Sequence, residues 1–489
     1  KNLIENNHID AIIGLPANIF FGTGIPTIIM VLRQKRENTD VLIIDASKGF
    51  IKEGKNNKLR ASDIKRIADT FIKRENIPKF SRVVSREEIR SNDYNLNIPR
   101  YVDSSEAAEH WDVYASMFGG IPTAEIDEMS EFWTAFPALK KALFTESGIP
   151  YVNVSTPDIK SAIKSHPDVV GFEKAFNAAF STFPAFLKEE LIDRMGSIEI
   201  SKAETVLSAD IFERLKEIPL IDKYAAFQLL DDDWTGISID LEMLQTEGFA
   251  ATKKVDPNLV IKKKDGKDQE VQEGWVGHII PFDLVQATLL SAETDELHGL
   301  ESRLAEIPSE YESILDEMTE EDKESCNDVL TEEGDAFVPK EVSKKIKELK
   351  KDRSPESVAL RTLLEKVESL VKSEKEIKAE IKAKGAALQA KTKDTIESLS
   401  DEQALDLLEK KWIAPLIESI HKLPDTVIDS LVSKIQALQN KYATTFFEVE
   451  QQISETEATL SGMIDDLEGN EYDMLGLNEL KKLLGGSAE

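Results

Sequence analysis

One short segment near the start of the chain combines aromatic rings with small, flexible residues: Phe20, Phe21, Gly22, Thr23 and Gly24. It lies between two apolar runs, Ala11 to Leu15 and Ile25 to Leu32, which are rich in β-branched residues and bounded by Gly or Pro. Runs of this length and composition predict buried strands. A loop held between two strands presents its side chains on a rigid support, an arrangement typical of a functional turn.

The segment matches the pattern F-x-G-x-G, which binds S-adenosylmethionine in some proteins. In that role the motif follows a strand and opens a helix, so that the glycines let the backbone approach the cofactor. Here Ile25, Pro26 and a β-branched run follow the glycines. We therefore predict a turn between two strands and not a cofactor loop. The chain also has no Gly-x-x-x-x-Gly-Lys-Ser/Thr sequence, so the sequence does not support an NTPase.

Metal and disulfide chemistry have little support in the sequence. The six histidines are scattered, without the close spacing or the cysteine companions of a zinc site, and we expect no metal. The triplet Asp231-Asp232-Asp233 cannot turn all its carboxylates toward one ion, so we predict a solvated turn there. A single cysteine, Cys326, excludes an internal disulfide and fits a reducing cytoplasm, where we expect the protein.

Charge divides the chain of 489 residues into two parts. Residues 1–103, here called the head, carry 18 Lys and Arg against 13 Asp and Glu, a net charge of +5. The remaining residues, the body, carry 42 basic and 78 acidic side chains, a net charge of −36. Because acidic surface repels phosphate, we expect nucleic acid on the head or on a partner subunit. No apolar run approaches the roughly 20 residues of a membrane span, so no membrane partner is expected.

The head continues with alternating strand and helix patterns. Val41 to Ser47 predicts a third strand, and Lys48 to Leu59 is a loop rich in Gly and Lys. Ala61-Ser62-Asp63 then offers capping residues for an amphipathic helix, and Val83 to Ile89 predicts a strand followed by a helix. These elements define a first domain over residues 1–103.

Three further regions follow. In residues 104–292 Phe and Leu recur at helical spacing, which predicts a mainly helical domain with a β-hairpin near 260–271 around Asp265-Gly266. The lysines of that hairpin either touch phosphate or form a solvated face. Residues 293–402 carry two apolar seams that predict an antiparallel coiled-coil hairpin. Residues 403–489 form a C-terminal assembly region, in which heptads from Ile428 to Leu467 predict one long helix that needs a partner helix in this chain or another subunit.

Three segments resemble a known family in order and spacing. They are Ile-Gly-Leu-Pro-Ala-Asn-Ile-Phe-Phe-Gly-Thr-Gly-Ile-Pro-Thr (13–27), Leu-Ile-Ile-Asp-Ala-Ser (42–47) and Asn-Asp-Tyr-Asn-Leu-Asn-Ile-Pro-Arg-Tyr-Val (92–102). They are similar to the closing part of the adenine-N6 DNA methyltransferase domain, and more specifically to the modification (M) subunit of type I restriction–modification systems. The resemblance continues through 111–122 and the C-terminal helices, so it covers most of the chain.

The resemblance implies a fold and an activity. The fold is an α/β remnant, the last strands of a Rossmann-like methyltransferase sheet, followed by a large, mostly α-helical region with coiled-coil helices. The family moves a methyl group from S-adenosylmethionine to the N6 of an adenine flipped out of duplex DNA. A specificity (S) subunit selects the sequence, and the complex can include a restriction (R) subunit and a second M subunit.

The family's catalytic motif Asn/Asp-Pro-Pro-Phe/Tyr does not occur, since the chain contains no Pro-Pro pair, and its cofactor-binding glycine motif is also missing. Both motifs lie upstream in the family, and this chain begins with Lys1. The resemblance therefore implies a C-terminal part of the subunit that is inactive alone, with the S-adenosylmethionine site expected upstream of Lys1 and no catalytic residue in this chain.

In amino-methyltransferases, the loop between the last two strands presents an aromatic ring to the flipped base. By position, Phe20 is the first candidate for this contact and Phe21 the second, while the glycines let DNA approach; stacking suits the task because every base has a π face. The alternative is that one or both rings cap the sheet. For the whole chain, the alternative function is a non-enzymatic helical scaffold that uses its coiled coils for self-assembly.

Overall fold

The computed structural model describes residues 1–20, 22, 24–105, 109–148, 150–264, 267–331, 335–352 and 354–484. Its strands are β1 (Ile9–Gly14), β2 (Ile28–Leu32), β3 (Val41–Asp45), β4 (Ile51–Glu53), β5 (Asn56–Lys58), β6 (Ser81–Val84), β7 (Ile121–Pro122), β8 (Phe144–Gly148), β9 (Tyr151–Val154), β10 (Val255–Lys264) and β11 (Lys267–Gly277).

Helices account for most of the chain. They are α1 (Asn2–Glu5), α2 (Ala61–Lys73), α3 (Arg86–Ser91), α4 (Val113–Phe118), α5 (Thr123–Asp127), α6 (Ser130–Ala135), α7 (Leu139–Leu143), α8 (Ile159–Ser165), α9 (Pro167–Phe180), α10 (Phe183–Leu187), α11 (Ile200–Leu215), α12 (Lys223–Glu247), α13 (Phe282–Leu289), α14 (Ser291–Glu317), α15 (Glu320–Ser325), α16 (Pro339–Leu349), α17 (Pro355–Glu397), α18 (Asp401–Trp412), α19 (Ala414–His421), α20 (Leu423–Lys441), α21 (Phe446–Asp465) and α22 (Glu471–Leu483). Short 3₁₀ turns at Ile98–Arg100 and Phe249–Lys253 and a π-helical turn at Lys188–Asp193 complete the backbone.

The chain divides into two compact units. Unit 1 comprises Lys1–Leu187, Ser201–Thr235 and Leu416–Glu489, and unit 2 comprises Lys188–Ile200 and Gly236–Pro415. The head lies within unit 1. The expected α/β start and the mostly helical remainder are both present.

A four-stranded mixed sheet in the order β2-β1-β3-β6 forms the centre of the head. β1 runs antiparallel to β2 and parallel to β3, while β6 is antiparallel to β3. Every residue of β1 and β3 is buried, as expected for short apolar runs. Since Gly14 pairs with Asp45, the carboxyl ends of the two parallel strands share one edge of the sheet.

The predicted burial of the second apolar run is wrong. It does form a strand, β2, but this strand lies at the edge of the sheet and its side chains are mostly exposed, with Ile28 at 56% and Leu32 at 58%. β1 pairs with one edge of β2, and within the described residues the other edge has no strand beside it. Local composition determines that a strand forms, whereas burial depends on what covers it.

Each face of the head sheet is covered by a different part of the head. On one face, Ile12 and Ile43 pack with Ile89, Ile98 and Tyr101, which come from the end of the head. The other face packs against the predicted amphipathic helix, now α2. In that helix Ile67 and Phe71 contact the sheet, while Ile64 and Ile72 are exposed.

The Phe residues that recur at helical spacing in the body form a helix–helix core, as expected for a mainly helical domain. Phe176, Phe180 and Phe183 are almost fully buried, and Phe176 stacks on Phe180. A neighbouring cluster joins residues of α6 to α9 with residues of α20, including Ile428.

The acidic triplet Asp231 to Asp233 does not form the predicted turn, because it lies inside α12. Gln228, one helical turn earlier, donates hydrogen bonds to Asp231 (3.2 Å) and Asp232 (2.8 Å). These bonds at i,i+3 and i,i+4 spacing help a helix to accommodate adjacent acids.

The single long helix predicted across the last heptads is also wrong, because α20 ends at Lys441 and α21 begins at Phe446. Thr445 starts the new helix: its side chain accepts from the backbone N–H of Glu448, and the Glu448 carboxylate accepts from the backbone N–H of Thr445. This reciprocal capping box is a strong start signal. Heptad positions before the break, such as Ile428, are buried, whereas Ile453 and those after it are exposed.

In unit 2, α14 and α17 run antiparallel beside each other. Pairs between them reverse in order along the two helices: Glu293 with Lys391, Glu296 with Lys384, Tyr311 with Glu374, and Glu317 with Lys366. The antiparallel helical hairpin is therefore present, and coiled-coil packing between its helices stays a prediction. The predicted β-hairpin is present and longer than expected, as β10 and β11, while its turn residues Asp265 and Gly266 lie outside the described residues.

Candidate functional site at the carboxyl edge of the head sheet

The aromatic–glycine segment lies in the loop between β1 and β2, here called the 15–27 loop. The backbone N–H of Leu15 donates to the carbonyl oxygen of Thr27 at 2.8 Å and closes the base of this loop. The strand that follows is antiparallel to β1, so the chain returns along the sheet and does not enter a helix. The predicted turn between two strands is confirmed.

Phe20 projects from this loop with 55% of its surface exposed. The preceding residue, Ile19, packs against the core of the head. Asn18 (φ 54°) and Gly22 (φ 80°) both have left-handed backbone conformations, which make the chain change direction on either side of the ring. A ring held on an anchored backbone and left open to solvent is available to stack on a flat ligand. Phe21 and Thr23 lie outside the described residues.

Support for this loop comes from a hairpin that the sequence did not reveal. The segment predicted as a loop rich in Gly and Lys contains the antiparallel pair β4 and β5, joined by the two-residue turn Gly54–Lys55. Asn57 of β5 donates its backbone N–H to Asn18 (2.9 Å) and its side-chain amide to Ala17 (2.7 Å). Gly54 has a φ of 62°, a left-handed conformation that tight hairpin turns require. A glycine in this polar segment was therefore the sequence signal for the hairpin.

Gly14, the last residue of β1, belongs to the resembling segment 13–27 and lies close to the side chain of Ile98. A Cβ built on Gly14 would lie 2.6 Å from Cδ1 of Ile98, so a side chain there would displace its neighbour. Two of the resembling segments, 13–27 and 92–102, thus meet at this point. The third segment, 42–47, passes beside it, because Asp45 at the end of β3 is the neighbour of Gly14 in the sheet register.

Asp45 and a group of basic residues line a cleft beside this edge. Asp45 is buried and accepts hydrogen bonds from the backbone N–H of Ser47 (3.0 Å) and from the hydroxyl of Ser104. The cleft is also lined by four basic side chains, those of Lys48, Arg60, Arg66 and Lys79. Arg60 is paired with Asp63 at 3.0 Å. The described lining of this cleft thus holds four basic side chains and two acidic ones, Asp45 and Asp63, and such an excess of basic groups suits a phosphate-bearing ligand.

A second charged cluster belongs to the framework of the head. Asp10, at the amino end of β1, is buried and pairs with Arg36 (3.1 Å) and Arg74 (2.8 Å). Arg74 also binds Asp40 at 2.9 Å. Because β1 places Asp10 and Gly14 at opposite ends, this cluster ties chain segments together away from the 15–27 loop.

No group of three or more His, Cys, Asp or Glu side chains among the described residues is arranged to hold a metal ion. None of their helices has the length and apolarity needed to cross a membrane.

Comparison with known proteins gives a match over the head. Residues 1–110 match the family model described as N-6 DNA Methylase. The type I restriction enzyme MpnII methylase subunit of Mycoplasma pneumoniae is 38% identical over 114 residues, which are 23% of this chain and 21% of that protein. The MjaVII methylase subunit of Methanocaldococcus jannaschii is 39% identical over 119 residues, with the same two coverages.

Among solved structures, the type I restriction-modification system methyltransferase subunit from Streptococcus thermophilus matches with 51% identity over 21% of this chain and 22% of that chain, at a TM-score of 0.21. This chain spans about a fifth of the length of the curated relatives it matches. The resemblance inferred from the three segments is confirmed for residues 1–110, which include the head: they are similar to the N-6 DNA methylase family and to the methylase subunits of type I restriction enzymes.

Proposed function

We propose that this chain is the C-terminal part of a type I restriction–modification DNA methyltransferase subunit, which transfers a methyl group from S-adenosylmethionine to adenine N6 in DNA. The observation that carries the proposal is the match of residues 1–110 to N-6 DNA methylases, within which the exposed ring of Phe20 stands at the carboxyl edge of the sheet. The lone Cys326 agrees with a place in the cytoplasm.

The edge of β2 supports the idea that the head completes a larger sheet. This edge strand exposes Ile28, Ile29, Met30 and Leu32, and an open apolar edge invites another strand to pair with it. Pairing at β2 would satisfy the backbone groups of its open edge, and the layers on the two faces of the extended sheet would cover these side chains. We propose that the rest of the methyltransferase sheet joins the head at this edge.

We assign the target-base contact to the 15–27 loop. Phe20 supplies the stacking ring, Phe21 is the second candidate, and Gly22, Thr23 and Gly24 let the DNA backbone come close. Stacking on an aromatic side chain helps to offset the few kcal/mol that base extrusion costs. The exposure of Phe20 favours this role over a cap on the sheet.

The cofactor is assigned to another part of the subunit. Because the glycines of the 15–27 loop lead into β2, their backbone does not fit a cofactor-binding turn at a helix start. The Asn/Asp-Pro-Pro-Phe/Tyr motif is also absent from the sequence. We therefore propose that S-adenosylmethionine binds to residues upstream of Lys1 and that this chain alone does not methylate DNA. In this chain the head orients the base and the body assembles the complex.

The helical body is proposed to dock the specificity subunit. Exposed apolar residues continue along α21 at the heptad positions Phe446, Val449, Ile453, Leu460 and Met463. Such a row on an otherwise acidic surface is a protein-binding face, and its spacing suits a partner helix. Co-expression with the specificity subunit tests this assignment, because failure of the two to copurify would remove it. A restriction subunit and a second modification subunit are further partners of the proposed complex.

The same row of apolar residues also favours the alternative function, a helical scaffold that self-assembles. The reading frame upstream of Lys1 separates the two functions. A frame that encodes Asn/Asp-Pro-Pro-Phe/Tyr supports the methyltransferase, whereas a start codon immediately before Lys1 favours the scaffold.

A further inference from the structure

The hairpin of β4 and β5 has two chemically different faces. Its register pairs Lys52 with Asn57 and Ile51 with Lys58. Directly paired residues on antiparallel strands point to the same face, and successive residues point to opposite faces. Since the Asn57 side chain reaches the 15–27 loop, Lys52 lies on the face of the hairpin that is turned toward that loop.

The two faces also differ in how their lysines are paired. On the far face Lys58 is 3.0 Å from Glu53, which offsets its charge. On the near face Lys52 is exposed, and the described residues place no carboxylate within ion-pair distance of it. Lys55, in the exposed turn, likewise has no ion pair in that part of the chain. The hairpin therefore carries two lysines without an ion pair among the described residues, and Lys52 lies on the face turned toward the loop of Phe20.

Asn57 connects the hairpin that carries these lysines to the 15–27 loop. The residue is 7% exposed, and it donates to both Ala17 and Asn18. Because Ala17 and Asn18 lie three and two residues before Phe20, the hairpin and the ring are held on one framework. A ligand that contacts the ring would bring its neighbouring groups to the lysines.

We propose that Lys52 and Lys55 contact the phosphodiester backbone of DNA beside the base that reaches Phe20, a proposal that rests on the function proposed above. A flipped base remains joined to its strand, so the phosphates on either side of it come to the base-binding loop. Lysine suits this role because it is a mobile point charge that binds phosphate without reading sequence. Asn57 is the positioning residue that keeps hairpin and loop in register.

The salt dependence of DNA binding tests the proposal. The sample is the methylase–specificity complex that contains this chain, and the probe is a mixed-sequence DNA duplex followed by fluorescence anisotropy over a range of NaCl concentrations. The slope of log K against log salt is negative, and each lost phosphate contact reduces its magnitude by about 0.9. Lys52→Gln is expected to reduce the magnitude of the slope by about 0.9, as for one lost contact, and the double variant with Lys55→Gln by about 1.8, as for two.

Lys58→Gln is the matched control, since it removes the same charge from the far face of the same hairpin and should leave the slope unchanged. Equal slopes for the wild type and the double variant would overturn the proposal, as would an equal loss in Lys58→Gln. If such a result occurs while Phe20→Ala still impairs methylation, the proposed function stands and the hairpin assignment falls. Absence of DNA binding by the wild-type complex at every salt concentration would overturn both.

Discussion

The side-chain amide of Asn57 donates a hydrogen bond to the carbonyl oxygen of Ala17 at 2.7 Å, across 40 positions of sequence. Its backbone N–H adds a second bond to Asn18. Both acceptors belong to the loop that carries Phe20, whose ring is exposed. The loop that carries the proposed base-stacking ring is thus held in place by hydrogen bonds from the β4–β5 hairpin.

Replacing Asn57 by alanine is expected to loosen the 15–27 loop. The change removes a buried hydrogen bond and leaves the Ala17 carbonyl unsatisfied, which costs about 1–3 kcal/mol locally. We expect faster amide exchange in residues 15–20 and lower methylation by the complex. Hydrogen–deuterium exchange and a methylation assay measure the two effects. Asn56→Ala, at the neighbouring exposed position, is the control, and equal exchange in both variants would argue against the coupling.

Replacing Gly14 by alanine is expected to destabilise the head. The new Cβ would lie 2.6 Å from Cδ1 of Ile98, and overpacking of this kind costs about 1–3 kcal/mol. Since the clash involves a single terminal methyl, Ile98→Val should remove it. In that background Gly14→Ala should be neutral or slightly stabilising, as expected for Gly→Ala in a strand. Urea unfolding of the wild type, the two single variants and the double variant gives the coupling free energy between the two positions. Additive changes in the free energy of unfolding would contradict the contact.

Much of the head could be predicted from sequence, because its strands are short apolar runs with clear boundaries. Burial of β2 was not predictable, since it depends on what lies beside the strand. The helix break at Thr445 was missed because the heptads continue through it, although Thr445 and Glu448 carry a capping signal. Phe20 stood out by its type and position, whereas Asn57 did not, because an isolated asparagine in a polar loop has no pattern that points to a partner 40 residues away.

In unit 2, His278 links the end of α12 to β10 and should make stability depend on pH. Its Nδ1 is 2.6 Å from Asp256 and its Nε2 is 3.1 Å from Glu247, and these hydrogen bonds raise the pKa of His278 against the opposing effect of burial. A raised pKa contributes stability that is fully present below the unfolded-state pKa, about 6.5, and is lost as pH rises through the folded-state pKa.

His278→Gln should therefore lower the free energy of unfolding at about pH 5.5 and have a smaller effect at about pH 8.5. Chemical denaturation at the two pH values measures this difference. His298→Gln, which changes another histidine of unit 2, is the control for general effects of histidine loss. An effect of His278→Gln that grows toward high pH would contradict the assignment.

The exposed apolar face of α21 should determine assembly. Ile453→Asp and Met463→Asp each place a charge where we propose that the specificity subunit packs, and loss of one buried apolar side chain costs about 1.5–3 kcal/mol. Binding should weaken by about 10- to 100-fold, as measured by isothermal titration calorimetry. Gln452→Asp adds the same charge to a polar position of the same helix and should bind normally. Equal affinity for all three variants would contradict the proposal that α21 lies in the interface.

The most direct test of the central claim is methylation by the Phe20→Ala variant of the complex that contains this chain. Base stacking on an aromatic side chain is worth about 1–3 kcal/mol, so kcat/KM for DNA should fall by about 5- to 150-fold. Binding of S-adenosylmethionine should not change, Phe20→Trp should retain activity, and Ile25→Ala, another exposed apolar position of the same loop, should resemble the wild type. Unchanged turnover in Phe20→Ala would contradict the assignment of this loop to the target base.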